Sequence, residues 1–122
     1  MELNRDRLVP LAPGEWALLA CVWDLGYANA IEVCAKLQER GLRDFGPSTT
    51  GVLLARIARK GYLEVETKRQ SRGRPLHYYR PLVSRETALE WQLERFFRDH
   101  LLTDDDVEIL STFLARRRAK TV

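Results

Sequence analysis

Apolar residues return along this chain with two different periods, and the switch between them marks its organisation. From Glu15 to Arg40, and again from Ser48 to Lys60, they recur every three to four positions, the spacing of a helix with one buried face. The stretch PGEWALLACVWDLG from Pro13 predicts a first helix, with Pro and Glu suited to its opening turn and Gly26 to its end. Its expected buried stripe is Trp16, Leu19, Val22 and Trp23. Tyr27 and Ala28 read as a brief link, and Asn29 as the N-cap of a second helix running to Glu39 or Arg40. That helix has Ala30, Val33, Cys34 and Leu37 on its inner face and Gly41 as its terminator. Phe45, Gly46 and Pro47 then turn the chain into a third helix, where Thr50, Leu53, Leu54 and Ile57 form one apolar stripe.

After Gly61 the period drops to two. Tyr62 to Thr67, YLEVET, alternates Leu63 and Val65 against Glu64 and Glu66, which predicts a half-buried strand. Lys68 to Pro75, KRQSRGRP, reads as a turn and Leu76 to Arg80 as a return strand. Helical spacing resumes beyond Pro81. Ser84 is the expected N-cap of a helix reaching His100 or Leu101, with Leu89, Leu93, Phe96, Phe97 and Leu101 along it and Trp91 off that stripe. Thr103 caps a last helix carrying Val107, Leu110 and Leu114 on one face, with Ile109 and Phe113 beside it. Asp104, Asp105 and Asp106 complement its positive end and Arg116 to Arg118 its negative end; no second ligand cluster accompanies the aspartates to make them a metal site.

The predicted fold is therefore mainly α with a small β-hairpin: a winged helix-turn-helix over residues 1–81, followed by C-terminal dimerisation helices over residues 82–122. The apolar surface of the last two helices exceeds what a complete three-helix core and wing can absorb, and a second copy of the chain is the symmetric solution. Leu89, Trp91, Leu93, Phe96, Phe97, Leu101, Leu110, Phe113 and Leu114 are the expected dimerisation residues.

Composition narrows the classes. A chain of 122 residues can bury one core without staples. It has no apolar run of the roughly 18 residues that a membrane span needs. Its start, Met1 to Val9, carries charges of both signs in place of an apolar leader, so a cytoplasmic protein without membrane contact is expected. Cys21 and Cys34 lie far apart in apolar helical patterns, without a CxxC or a nearby histidine, and read as buried free thiols. His77 and His100 fall in different elements with no Cys or Ser companion at a catalytic spacing, so neither an enzyme nor a bound cofactor is expected.

Charge changes the picture more. The net charge is only +3, but residues 48–81 hold eight basic and two acidic groups while the flanks are slightly acidic. A basic block confined to one helix and the hairpin after it is an electrostatic footprint for a polyanion, here double-stranded DNA. Opposite the apolar stripe of the third helix stand Ser48, Val52, Ala55 and Arg59, with Arg56 on the flank and Lys60 closing the helix. That face is slim, partly polar and cationic, as a helix entering a major groove must be. In the wing, Arg69, Arg72 and Arg74 are expected to reach phosphates or a minor groove, whereas Arg5 and Arg7 are expected to belong to a frayed N-terminal arm.

Several landmarks then occur in a definite order: Glu15-Trp16 and Trp23, Gly46-Pro47-Ser48-Thr49, LLARIARKG from Leu53 to Gly61, and YYRPLVSRE from Tyr78 to Glu86. In this order the chain resembles the penicillinase-repressor (BlaI/MecI) family of winged-helix repressors over about Pro10 to Leu101. The resemblance implies a homodimer on a palindromic operator, with the third helix in the major groove and the C-terminal helices dimerising. It implies Pro47, Ser48, Thr49, Val52, Arg56 and Arg59 at or near the DNA, and the residues after Ser84 at the dimer interface. Gly51 and Val52 stand where the family usually has a hydroxyl or a longer polar side chain. The tail has room for about two helices where the family typically has three. No Asn-Phe pair occurs in the chain and no cysteine in its tail, so neither the family's proteolytic switch nor its copper switch carries over. Two other readings stay open on sequence: a winged helix that docks on a partner protein, and a MarR-like or PadR-like regulator with a small-molecule pocket lined by Trp91, Tyr62 and Tyr79.

Overall fold

The elements run α1 (Glu15–Leu25), β1 (Ala28–Asn29), α2 (Ala30–Glu39), α3 (Gly46–Arg59), β2 (Leu63–Lys68), β3 (Leu76–Pro81), α4 (Arg85–Asp99) and α5 (Asp104–Lys120). This is a computed structural model, and it describes residues 8–42 and 45–120. The chain divides into two compact units, Met1–Leu89 and Glu90–Val122, with the division inside α4. No helix among the described residues is long and apolar enough to cross a membrane.

Local chemistry sets the helix ends. Asn29 and Glu32 form a capping box at α2: the Asn29 side chain accepts from the Glu32 N–H, and the Glu32 carboxylate accepts from the Asn29 N–H, each at 2.9 Å. Asn29→Ala should therefore lower the unfolding free energy by about 1 kcal/mol, read as a shifted denaturant midpoint with an unchanged slope; no shift would mean that water replaces the cap. Gly26 ends α1 at φ 78°, in the left-handed region, with its N–H returned to the Val22 carbonyl at 2.7 Å. Ser84 Oγ accepts the Thr87 N–H at 3.0 Å ahead of α4. Before α5, the Thr103 N–H donates to Asp106 at 2.9 Å, so one of the three aspartates ties the helix start.

The core of the first unit lies where α1, α2, α3 and the sheet converge, around Leu18, Leu19, Val22, Val33, Leu37, Leu54, Ile57 and Tyr62, all with no measurable exposure. The expected stripe of α1 is corrected here. Trp16 and Trp23 are only half-buried and meet edge to face at 5.0 Å, whereas Leu18 and Cys21 lie fully inside. α1 packs against α2, α3 and β3, so an arc wider than one stripe leaves water. The Trp23 ring is anchored at the rim, its Nε1–H donating to the Val83 carbonyl at 2.9 Å beneath the Arg85 guanidinium. Cys21 and Cys34 are free buried thiols. Burial pushes the Cys21 thiol up, against the weaker pull of Arg40 and Lys36, so it stays protonated and inert.

The hairpin is part of a three-stranded antiparallel sheet of order β1-β3-β2. Leu63 pairs with Pro81 and Lys68 with Leu76, while Ala28 pairs with Tyr79 and Asn29 with Tyr78. The link at Tyr27 and Ala28 is thus half strand: two residues show no period, and β3 supplies their pairing. The alternation expected of β2 also changes, because only Leu63 is buried and Val65 is 43 % exposed. The strand leaves the core after its first residue, and the rest of the hairpin projects as a wing.

In α4, Leu89, Leu93 and Phe96 stay exposed, while Trp91 is buried. Leu101 falls beyond the helix, which ends at Asp99, and sits in the connecting turn at φ 51°. α5 has no buried residue: Val107, Ile109, Phe113 and Leu114 are all exposed, and Leu110 is half-buried.

Candidate nucleic-acid interface

The third helix divides as the pattern of its residues requires. Thr50, Leu54 and Ile57 are buried, with Leu53 half-buried, and the Thr50 hydroxyl meets the Cys34 sulfur at 3.0 Å. Pro47, Ser48, Thr49, Val52, Arg56 and Arg59 are exposed, with Ala55 half-buried among them. No Asp or Glu occurs between Gly46 and Lys60. Gly51 lies at the seam with α2, where a Cβ would already touch the Ala30 Cβ at 3.7 Å. That is ordinary van der Waals contact, and Val52 is the mid-helix side chain that points outward.

The wing continues this surface. Arg69, Arg72 and Arg74 are exposed in the segment joining β2 to β3. Lys68 belongs to β2 and is held differently from the rest of the turn. Its ammonium stands 5.2 Å from the Tyr27 ring centre and 4.9 Å from that of Tyr78, and these two rings stack at 4.9 Å. A hydrogen bond with the Tyr27 hydroxyl raises the Lys68 pKa. The Tyr27 hydroxyl donates to Glu66 at 2.9 Å, and Glu66 also binds Arg80 at 3.2 Å, so the wing base is tied to the end of α1.

Lys60 departs from the set expected at the DNA. Its ammonium turns inward to Glu15, which is 2 % exposed and also accepts the Ala12 N–H; the other Glu15 oxygen has no hydrogen-bond partner among the described residues. The Val9 N–H donates to the Lys60 carbonyl at 3.1 Å, and the Tyr62 hydroxyl donates to the Val9 carbonyl at 2.8 Å. Residues 9–15 therefore wrap the C-terminal end of α3, and Lys60 serves the fold there as the countercharge of a buried carboxylate. Arg5 and Arg7 lie outside the described residues.

Ion pairing sorts the cations of the first unit. Lys36, Arg40, Lys60, Arg80 and Arg85 each face a carboxylate. Among the described residues, Arg56, Arg59, Lys68, Arg69, Arg72 and Arg74 have no such partner, and all six belong to α3 or the wing. Arg59 lies near enough to Tyr79 to oppose the upward push that burial gives its phenol. Between α3, the first turn of α2 and the start of β3 runs a groove of about 460 Å³, lined among others by Ser48, Val52, Arg74 and His77. The His77 ring is held by the Thr67 hydroxyl at 2.9 Å.

Ile31 and Asn29 line this groove without any expectation from the sequence, and His77, read as a surface or phosphate-contacting residue, lines it too. For Ile31 a signal existed, an isoleucine off the inner face of α2. Tyr62, read from sequence as lining of a ligand pocket, is a core residue at 0 % exposure, whereas Tyr79, at 3 % exposure, lines the groove from β3.

The family model described as Penicillinase repressor matches residues 11–121. The "Uncharacterized 16.5 kDa protein in ptsI 3'region" of Latilactobacillus sakei is 32% identical over 68 residues, which are 56% of this chain and 42% of that protein. The chain thus matches less than half the length of this relative. With the family pattern running through the winged unit and on into both helices that follow it, the chain belongs to the penicillinase repressor family.

Proposed function

We propose that two copies of the chain bind the two halves of a palindromic operator, each laying α3 in the major groove and its wing along the flanking backbone. The observation that carries this reading is the segregation of the cations: among the described residues of that unit, those without a carboxylate partner gather on α3 and the wing, while Lys36, Arg40, Lys60, Arg80 and Arg85 each face a carboxylate. An unpaired guanidinium keeps its full charge and its fork of donors for phosphate or guanine. Arg56 and Arg59 are positioned to read bases, Arg69, Arg72 and Arg74 to hold phosphates, and Ser48 and Thr49 to donate to the backbone at the start of α3. Residues 1–81 serve as the DNA-binding part and residues 82–122 as the dimerisation region. The apolar side chains that α4 and α5 leave in water, Leu89, Leu93, Phe96, Phe113 and Leu114 foremost, supply the surface that a second copy covers.

The test is selection of bound duplexes from a random pool, followed by a salt titration and sedimentation of the protein. Half-sites about one helical turn apart are expected. Log affinity should fall with log salt by about 0.9 per phosphate contacted, so six contacts would cost about a thousandfold between roughly 50 and 200 mM salt. Phe96→Asp should yield a monomer with weakened operator binding. Failure to retain any duplex at low salt, or full affinity in a monomeric Phe96→Asp protein, would remove the proposal.

A further inference from the structure

The groove between α3 and the wing has an aliphatic floor that α3 alone does not build. Ile31, in the first turn of α2, is 60 % exposed, and Val52 on α3 is 57 % exposed. Both line the groove, and so do Ala30 and Gly51, where their two helices meet. Ile31 has no role in the core, because the buried face of α2 consists of Val33, Cys34 and Leu37. A large aliphatic pair left in water, in a groove that also carries the Ser48 hydroxyl and the Arg74 guanidinium, calls for an apolar feature in what that surface binds.

The first turn of α2 is also poorly suited to hold a phosphate. The capping box occupies the Asn29 and Glu32 amides and sets the Glu32 carboxylate at that terminus. What this turn adds to the groove is the hydrocarbon of Ile31, while Arg74 and Ser48 stand on the groove's other sides. In the major groove, the apolar group on a base edge is the thymine 5-methyl. It projects beside the sugar–phosphate of its own strand, so a thymidine step presents a methyl and an anion together. An aliphatic floor with a guanidinium at its rim is complementary to that pair.

We propose, resting on the DNA-binding reading above, that Ile31 and Val52 act as one aliphatic reader of thymine methyl groups. Ile31 is then a specificity-determining residue contributed from outside the recognition helix. Base preference at this position comes from methyl contact and not from a hydrogen-bond code, which fits the valine that stands at the centre of the exposed face.

The experiment uses the full chain and a duplex selected from a random pool, compared with the same duplex carrying deoxyuridine in place of thymidine, one half-site position at a time. Removing a contacted methyl should weaken binding by about fourfold, the equivalent of one buried carbon group. Ile31→Ala and Val52→Ala should each bind the thymine duplex more weakly and the uracil duplex nearly as the parent does, so the discrimination shrinks, while Ile31→Val keeps most of it. Both side chains are exposed, and an unchanged melting temperature verifies the fold of each variant. Equal affinity of the parent for thymine and uracil duplexes overturns the inference. So does an Ile31→Ala protein that retains the full discrimination, or that loses affinity for both duplexes alike. Failure to select any duplex at all would instead sink the DNA-binding reading beneath it.

Discussion

Lys60→Met should lower the unfolding free energy by about 3 kcal/mol, the lower end of what removing one partner from a buried ion pair costs. The low end applies because the Lys60 side chain is 18 % exposed and its own hydration is partly kept. Glu15 is not so placed: at 2 % exposure, with one oxygen already unpartnered among the described residues, its carboxylate would retain only the Ala12 N–H. For a chain of this size the loss corresponds to a melting temperature lower by roughly 10 °C, measured by calorimetry on the parent and the variant. The double variant Glu15→Gln, Lys60→Met should recover a large part of the loss, because no uncompensated charge is then left inside. If the single variant melts with the parent, the pair is solvated and contributes nothing. Because the same corner holds the Val9 and Tyr62 hydrogen bonds to the end of α3, DNA affinity of the folded variant should change far less than stability.

The arginines of α3 should behave in the opposite way. Arg59→Ala and Arg56→Ala should leave stability nearly unchanged, since both side chains are exposed and neither closes an ion pair among the described residues. Each should weaken operator binding by about 1–3 kcal/mol if it reads a base, with relaxed preference at one position of each half-site. Arg72→Ala at the wing should weaken all sequences about equally and reduce the salt slope by about one contact. The measurement is a set of titrations on the selected duplex and its single-base variants. A loss at Arg56 and Arg59 that is uniform across sequences would reassign both to the phosphate backbone and leave specificity to the aliphatic floor and to DNA shape.

Much of this architecture was legible before the coordinates. The helices follow from apolar spacing, and their starts from Asn29, Ser84 and Thr103, because capping depends on residues within one turn of each other. The cationic block also reads directly, being a matter of composition along a short stretch. The wing was legible as a period of two between Gly61 and Pro81, but its burial was not. Val65 has the spacing of a buried residue and is exposed, since the core ends one residue into β2.

The departures from the one-dimensional pattern share a physical cause. Trp16 and Trp23 were expected inside on the strength of a single stripe, yet the neighbours packed around α1 bury Leu18 and Cys21 more deeply. Lys60 carries the same charge as Arg59 one residue earlier, and nothing local says that one points to solvent and the other to a carboxylate 45 positions away. The same holds for β1, whose two residues become a strand because β3 lies beside them. The sequence alone therefore settles which segments are helical, where they begin, and which one carries the positive charge, because these depend on near neighbours and simple periods. Which cations remain free, and which aliphatic side chains from two helices come to share one groove, depends on contacts between segments far apart in the chain, and those exist only once the helices have packed.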